Sequence, residues 1–248
     1  MSGEVLHRTK GIVLKSVAYG DTSLIVTVFT ELFGTQSYLM QGVRTSKQKG
    51  TNKASYFQIG SMLELVVYHK EFKNLQRVKE YRWSYLYKNI FFDVIKNCVA
   101  QYMVELLQKL LKQPEPNPEL FYFIEDAFIH LDEADSTTLA NYPIFFATHL
   151  PFFFGFRIND SYTQLRCVLD LKEGSFETEI PHHPSYITEP YSNLISQFLK
   201  VQHPKELEEL KMNVEKRRML LAALEEFYQH HLHEFGTLKS LSVLKQLL

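Results

Sequence analysis

The sequence predicts an α+β protein in which a small five-stranded β-barrel is followed by a mainly α-helical domain. Three observations lead to this fold class. The first third contains five short runs rich in Val, Ile, Tyr and Phe, the hydrophobic period becomes helical after Trp83, and the charge of the chain divides at the same point. We therefore expect a barrel domain at residues 1–83 and a helical domain at 84–248, with an irregular insertion at about 157–190.

The five predicted strands are separated by glycine turns, a pattern that favours a small barrel over a βαβ unit. The second run is mainly apolar on both faces, so we expect both of its faces to be covered. The strands are Ile12–Val17, Leu24–Phe29, Gln36–Met40, Met62–Tyr68 and the weaker Leu75–Tyr81.

Helical periodicity follows in four segments. The third is expected to bend or break at Pro143 and Pro151, because proline removes a backbone hydrogen bond from a helix. The segments are Ile90–Lys112, Leu120–Ala134, Thr138–Phe154 and Lys205–Glu234, with an irregular stretch of β-like pieces at Asn159–Tyr186.

The net charge of −1 hides two opposite halves. Met1–Trp83 has 12 Lys and Arg against 6 Asp and Glu, whereas Ser84–Leu248 has 15 against 22. A positive barrel with aromatic side chains is typical of single-strand-binding domains, since counterions are released from the phosphates and bases stack on aromatic rings. A solvated lysine face around an aromatic core remains the alternative.

The candidate DNA-binding residues all lie in this basic half, and four belong to the loop Gln41–Lys53, which has no acidic residue and too few apolar ones to pack a core. The basic candidates are Lys10, Lys15, Arg44, Lys47, Lys49, Lys53, Lys70, Lys73 and Arg77, interleaved with Tyr19, Tyr38, Tyr56 and Phe57.

No motif in the sequence indicates catalysis, so we expect a protein that is not an enzyme. A P-loop, a GxGxxG turn, a GxSxG elbow and a HExxH helix are all absent. His230, His231 and His233 lie where a helix ends, a position at which histidines complement the helix dipole more often than they bind metal. Cys98 and Cys167 are expected to be reduced thiols.

Arg217 lies on the apolar seam predicted for the last long helix, with Lys216 and Arg218 beside it. Such an arginine either pairs with an internal carboxylate or borders a groove that receives an anionic partner. The sequence leaves both alternatives open.

No signal peptide or membrane span is expected. Met1–Lys10 is charged and lacks an apolar core, and the most apolar segment, Tyr142–Phe156, is interrupted by prolines and is shorter than a span. We therefore expect a cytoplasmic protein.

Several stretches together resemble the RecO family of recombination mediators. The likeness is most specific in the first 45 residues and covers nearly the whole chain. It is carried by Gly11-Ile12-Val13-Leu14-Lys15, Tyr19-Gly20-Asp21, Ile25–Thr30, Gly34, Gln41-Gly42-Val43-Arg44, Tyr102 with Glu105-Leu106-Leu107, Pro116-Asn117-Pro118 with Leu120-Phe121, Phe154-Gly155-Phe156 and Leu238–Leu241.

The resemblance implies an amino-terminal OB-fold, and a protein of the RecF pathway of DNA repair and recombination that binds single- and double-stranded DNA and anneals complementary strands. The resemblance also implies that the protein acts with RecR to load RecA onto DNA coated by the single-strand-binding protein SSB. It further implies association with the nucleoid. Lys216, Arg217 and Arg218 become candidates for docking the acidic, apolar tail of SSB. An alternative is a scaffold whose barrel binds RecR or another protein and touches DNA only weakly.

One departure concerns a zinc site of four cysteines that many family members have after the Gly-aromatic turn. Here only Cys167 remains. We expect no zinc and a segment held by the packing of Val168, Leu169, Leu171 and Phe176, although a mixed site of Cys167, Asp170, His182 and His183 stays open as an alternative.

Overall fold

The computed structural model describes residues 5–44, 53–71 and 73–247. Their contacts define two compact units. The first, here called the barrel unit, comprises the described residues up to Lys88 together with Leu107–Ile129, and the second, the helical unit, comprises Asn89–Leu106 and the described residues from His130 onward.

The barrel unit contains five strands, which confirms the five predicted runs. Their order around the closed barrel is β1-β2-β3-β5-β4, as in an OB-like fold. Neighbouring strands are antiparallel except β3 and β5, which pair in parallel at Tyr38–Gln76 and Leu39–Arg77. The strands are β1 (Leu6–Tyr19), β2 (Ser23–Thr30), β3 (Gly34–Met40), β4 (Met62–Tyr68) and β5 (Gln76–Tyr85).

Side chains alternate between the two faces of each strand, and those on the inner face fill the interior of the barrel. Val26 and Val28 of β2 point inward and are fully buried, together with Leu63 and Leu65 of β4. The outer face of β2 is fully covered only at its end, where Phe29 packs against Phe121 with ring centroids 5.8 Å apart. The expectation that β2 is covered on both faces therefore holds only near Phe29.

Two helices contribute residues to both units. They are α1 (Val94–Leu110) and α2 (Pro118–Glu133). Within the barrel unit, Gln108 of α1 donates a hydrogen bond to the carbonyl of Leu14, and Phe128 of α2 packs against Tyr87 at 6.3 Å. The ends of these helices thus cover one side of the barrel.

A buried carboxylate organises the start of the helical unit. Asp132 is fully buried, and its Oδ1 accepts hydrogen bonds from the backbone N–H groups of Asn89 and Ile90, both at 2.8 Å. The ammonium of Lys96 donates to the Asp132 carbonyl at 2.7 Å. These contacts fix the turn that leads into α1, because a buried acceptor is stable only when donors surround it.

Ten of the fourteen residues of α3 (Ser136–His149) are buried, and the helices Tyr191–Lys200 and Val214–His231 and the 3-10 helix Pro204–Glu208 pack against it. The α3 helix runs through Pro143 to His149, so the helix is not broken at Pro143. The α-helix does end next to Pro151, as predicted, because Pro151 falls in a short 3-10 helix that follows, Leu150–Phe154. The other elements are α3 (Ser136–His149), α4 (Tyr191–Lys200), α5 (Val214–His231) and α6 (Lys239–Leu247), with β6 (Val168–Asp170), β7 (Ser175–Glu177) and β8 (Tyr186–Ile187) forming one small sheet.

The helix predicted over Lys205–Glu234 is wrong in its first third. Pro204–Glu208 forms a separate 3-10 helix, and α5 begins only at Val214. The side chain of Asn213 caps α5 by accepting from Lys216 N at 2.9 Å, and the amide of Asn141 binds the carbonyls of both Leu207 and Leu210. Because a distant side chain binds these carbonyls, the local pattern did not reveal the break.

Among the described residues, no helix combines the length and the apolar character that a membrane span requires.

Replacing Gly34 should destabilise the barrel strongly. Gly34 starts β3 with a φ of +59°, and a Cβ there would lie 2.3 Å from the Glu115 carbonyl oxygen, which is backbone and cannot rotate away. We expect Gly34→Ala to lower the free energy of unfolding by roughly 3 kcal/mol or more. Urea denaturation followed by circular dichroism measures this change.

Gly20→Ala is the matched control. Gly20 has nearly the same φ, +57°, but apart from its chain neighbours no heavy atom of the described residues lies within 4 Å of its added Cβ. This variant should lose only the conformational cost, about 1 kcal/mol. Equal losses in the two variants would show that the close approach to Glu115 does not matter.

Candidate nucleic-acid interface

The register of β1, β2 and β3 brings the outward side chains of one end of the barrel together. Lys15 pairs with Thr27 and Val17 with Ile25. Residues opposite each other in register project from the same face of a sheet. We call this surface the open face; it consists of Lys15, Val17 and Tyr19 of β1, Ile25 and Thr27 of β2, Ser37 and Leu39 of β3, and Arg77 of β5.

The open face combines positive charge with accessible apolar side chains. Lys15 and Arg77 are exposed, while Val17 and Tyr19 keep 47% and 54% of their surface in solvent. The sequence analysis missed the apolar residues of this surface, although the strand alternation contained the signal. Once Val26 and Val28 are assigned inward, Ile25 and Thr27 must point outward.

Arg44 lies at the edge of this face. Its guanidinium Nη1 donates to the carbonyl of Gly20 at 3.0 Å, and its backbone N–H donates to the carbonyl of Thr22 at 2.9 Å. These bonds hold Arg44 against the turn between β1 and β2, next to Tyr19. Arg44 is exposed.

A second basic segment joins β4 to β5 and is fixed by one buried side chain. Gln76 is only 2% exposed; its Oε1 accepts from the backbone N–H of Lys70 at 3.1 Å, and its Nε2 donates to the carbonyls of Lys70 and Lys73, both at 2.8 Å. This places two exposed lysines beside Arg77. Lys53 is exposed at the start of the 3-10 helix Lys53–Phe57.

The candidates Lys47 and Lys49 lie outside the described residues.

Lys10 is placed differently from the other basic candidates. Its ammonium lies 2.9 Å from Glu125 Oε1 and 5.9 Å from the ring centroid of Tyr122, both on α2. The hydrogen bond with Glu125 raises the pKa of Lys10, so the ammonium stays charged and paired. We leave Lys10 out of the interface, because its charge is already balanced by a carboxylate 115 residues away.

Two of the four aromatic candidates cannot stack on a base. Tyr38 and Phe57 belong to the barrel core, and burial raises the pKa of the Tyr38 hydroxyl. Tyr56 is half-buried and stacks on Trp83 with ring centroids 4.7 Å apart. Tyr19 is the aromatic candidate that the structure brings to the open face.

The segment around Cys167, where many members of the family resembled have a zinc site, is stabilised by internal hydrogen bonds. Asp170 Oδ1 accepts from the backbone N–H groups of Lys172 and Glu173, and Asp170 Oδ2 lies 3.1 Å from His183 Nε2. In the described part of the chain, no group of three or more His, Cys, Asp and Glu could hold a metal ion. The residues present therefore do not fit a four-ligand zinc site built on Cys167.

Packing supports the same segment, as the sequence predicts. Val168, Leu169, Leu171 and Phe176 are all buried, and Ser192 Oγ donates to the carbonyl of Cys167.

The histidines at the end of α5 have contacts of their own. His231 stacks on Phe156 at 5.5 Å, and His230 Nε2 lies 3.6 Å from Glu226.

We predict that the purified protein contains no stoichiometric zinc. The carboxylate of Asp170 is occupied by backbone donors, so removing metal ions should leave the segment folded. Elemental analysis by mass spectrometry, together with thermal unfolding before and after treatment with a chelator, checks this. One zinc per chain, or a melting temperature lowered by the chelator, would contradict it.

The basic cluster on α5 contains a half-buried arginine with internal hydrogen bonds, Arg217, and an exposed one, Arg218. Arg217 Nε donates to Asn141 Oδ1 at 3.1 Å and its Nη2 to the carbonyl of Met212 at 2.9 Å, and burial lowers the pKa of Arg217. Its internal partners are thus an amide and a carbonyl rather than the carboxylate that the sequence analysis considered. Arg218 is exposed, and Lys216 is half-buried.

Two models of known protein families match the chain, and together they include residues of both units. Residues 1–87 match the family model described as recombination protein O N terminal, and residues 92–242 match the one described as recombination protein O C terminal. A protein of Flavobacterium psychrophilum named DNA repair protein RecO is 32% identical over 240 residues, which are 96% of this chain and 98% of that protein.

Two further relatives with the same name show the same coverage. The protein of Phocaeicola vulgatus is 29% identical over 243 residues, and that of Bacteroides fragilis is 30% identical over 244 residues; each alignment covers 98% of this chain and 99% of the relative. The closed barrel, the helical region that follows it and these matches lead to one conclusion: the chain belongs to the RecO family.

Proposed function

We propose that this protein is a DNA-binding recombination mediator that acts in DNA repair and anneals complementary strands. One observation carries the proposal. The open face of the OB-like barrel presents an exposed tyrosine and is flanked by Arg44 on one side and by the Lys70–Lys73 connection on the other. OB-folds use this part of the barrel to bind single strands.

The open face suits a polyanion because the cations that flank it, Arg44, Lys70 and Lys73, belong to segments that are held in place before binding. Arg44 is held by the Gly20 carbonyl and the backbone of Lys70 and Lys73 by Gln76, so these segments lose little conformational freedom on contact with DNA. Phosphates that meet these cations release condensed counterions, which favours binding at low salt. Tyr19 and Val17 offer apolar contact to the bases.

Annealing follows from charge neutralisation in this proposal. Two complementary strands repel each other through their phosphates, and a basic surface that neutralises part of that charge lets them approach and pair. This step forms and breaks no covalent bond, so we propose a role that is not enzymatic and needs no cofactor. The partners would be RecR, RecA and SSB, in the cytoplasm and at the nucleoid.

The start of α5 is the proposed contact for the tail of SSB. Val214 and Met219 are 42% and 47% exposed, and the exposed guanidinium of Arg218 lies between them in sequence. Val214 and Arg218 are four residues apart and share one face of the helix. This mixture of apolar surface and positive charge complements an acidic, apolar peptide.

Charge reversal on the open face should weaken DNA binding. We expect Lys15→Glu/Arg77→Glu to lower the affinity for single-stranded DNA at least tenfold. Loss of two phosphate contacts should also reduce the slope of log K against log salt by about 1.4. Fluorescence anisotropy with a labelled oligonucleotide across a salt series measures both quantities.

The matched control reverses two exposed lysines of the helical unit, Lys172→Glu/Lys205→Glu. It changes the net charge by the same amount and should leave the salt slope unaltered. An equal loss in both double variants would mean that total charge, and not the open face, determines the affinity. Annealing of complementary strands precoated with SSB separates a mediator from a scaffold that touches DNA weakly.

The proposed SSB contact predicts that Arg217 behaves differently from its two basic neighbours, Lys216 and Arg218. Lys216→Glu/Arg218→Glu should weaken binding of the SSB tail peptide severalfold while the affinity for naked DNA stays unchanged. Isothermal titration calorimetry with the peptide measures the first quantity. Arg217→Glu should instead lower the melting temperature, because it removes the bonds to Asn141 and Met212. Unchanged peptide affinity in the double variant would move the SSB contact elsewhere.

A further inference from the structure

The side chains of the open face form rows that run across the strands. Residues opposite each other in register lie in one row, and the next outward row is two residues further along each strand. The register defines a polar row of Lys15, Thr27 and Ser37 and, beside it, an apolar row of Val17, Ile25 and Leu39.

The two rows differ in chemistry. The polar row offers one ammonium and two hydroxyls. Ser37 Oγ lies 3.4 Å from Thr27 Oγ1, so within this pair only one of the two hydroxyl hydrogens is used. The apolar row offers hydrocarbon alone, and Arg77 follows Leu39 where this row ends. Neither row contains a carboxylate.

A segment of the barrel unit borders the polar row. Gln108 Nε2 donates to the carbonyl of Leu14, the residue before Lys15, and the backbone of Glu115 lies against Gly34 at the start of β3. Since β2 separates β1 from β3, these two anchors are about 10 Å apart across the sheet. Gln108 and residues 112–115 are exposed, so the segment crosses the outer side of β2. We call residues 108–115 the ledge.

The outward residues of β2 show where the ledge crosses. Thr27 is half-buried, whereas Phe29, the next outward residue, is fully buried. The covered part of β2 therefore begins just beyond the polar row. The polar row is thus the part of the open face nearest the ledge, and the apolar row lies further away.

The ledge brings a further cation to the polar row. Lys112 is exposed and lies between the two anchors, three residues before Glu115. Three residues span at most about 11 Å, so Lys112 stays close to the outer side of β2. The other charged residues of the ledge are Lys109, which is half-buried, and Glu115 itself, whose exposed carboxylate lies at the far anchor.

This arrangement matches the two chemical sides of a single strand. Phosphates accept hydrogen bonds from lysine, serine and threonine side chains, and these contacts position a nucleic acid. Bases that are not paired bury their faces against apolar and aromatic side chains. The polar row with Lys112 suits the phosphates, and the apolar row suits the bases.

We propose that a single strand crosses the open face from β1 toward β3, with its sugar-phosphate backbone along the polar row and Lys112 and its bases against the apolar row. The inference rests on the proposed DNA binding and adds the orientation of the strand. It also adds a contact residue, Lys112, from the acidic half of the chain.

Two variants separate the roles of the rows, with an oligothymidylate and an abasic oligomer of the same length as probes. Lys112→Gln removes one phosphate contact. It should lower the affinity for both probes by the same factor, about two- to fivefold, and reduce both slopes of log K against log salt by about 0.7.

Val17→Thr/Ile25→Thr makes the apolar row more polar and keeps residues that favour strands. It should lower the affinity for oligothymidylate about three- to fivefold. The affinity for the abasic oligomer and both salt slopes should stay unchanged. Fluorescence anisotropy with labelled probes across a salt series measures all of these quantities.

Matched variants control for charge and for folding. Lys112→Arg keeps the positive charge and should keep the wild-type salt slopes. Lys172→Gln removes an exposed lysine of the helical unit and should leave both affinities unaltered. All of the changed side chains are exposed or half-buried, so the melting temperatures should stay close to that of the wild type.

The outcomes distinguish the orientation from the binding itself. Unchanged salt slopes in Lys112→Gln would overturn the ledge contact. Equal losses for both probes in Val17→Thr/Ile25→Thr would overturn the placement of the bases, and either result leaves the proposed DNA binding standing. Wild-type protein that binds neither probe would overturn the proposed function, and the orientation with it. The two opposite patterns together support the inference.

Discussion

The parallel pairing of β3 with β5 is the constraint on which the rest of the barrel depends. It covers two residue pairs, Tyr38–Gln76 and Leu39–Arg77, and it closes a sheet that would otherwise have two free edges. The same pairing buries Gln76, whose amide then fixes the connection between β4 and β5. Because side chains alternate along a strand, burying Gln76 turns Arg77 outward.

The two sides of the barrel differ in how their charges are balanced. On the side covered by α2, Lys10 binds Glu125 and Tyr122 donates to Glu31, so these two carboxylates and the lysine have partners within the unit. At the open face, Arg44 donates to a backbone carbonyl, Lys15 and Arg77 are exposed, and within the described ranges no carboxylate forms an ion pair with these three residues. The difference separates a lysine that helps α2 dock on the barrel from cations able to attract phosphates.

The sequence predicted the barrel strands well because a strand is recognised by a local period of two. The alternation alone predicts that the side chains of Val26 and Val28 point into the barrel and that the side chain of Thr27 points outward. The wrong start of the last long helix and the wrong partner of Arg217 both involve a residue distant in sequence. Asn141 interrupts the helix predicted from Lys205 and also accepts from Arg217, and neither contact leaves a mark in the local pattern.

The sequence predicted which types of residue form the candidate site better than it predicted how they are arranged in space. Composition placed Arg44, Lys70 and Arg77 in a basic barrel, but only the closed topology brings β5 beside β3 and joins these residues around one face. Tyr38 and Phe57 were indistinguishable from Tyr19 by residue type. Their burial follows from register and from a 3-10 helix that packs into the core, and neither could be read from residue identity.

Net charge is a poor guide to such a surface for a physical reason. At physiological ionic strength the Debye length is about 8 Å, so a phosphate responds to the charges within one or two side-chain lengths and hardly to the sum over the chain. The value of −1 therefore says little about a face on which Lys15 and Arg77 are exposed and unopposed by a carboxylate in the strand register. Local register, which decides which side chains share a face, determines what the barrel can bind.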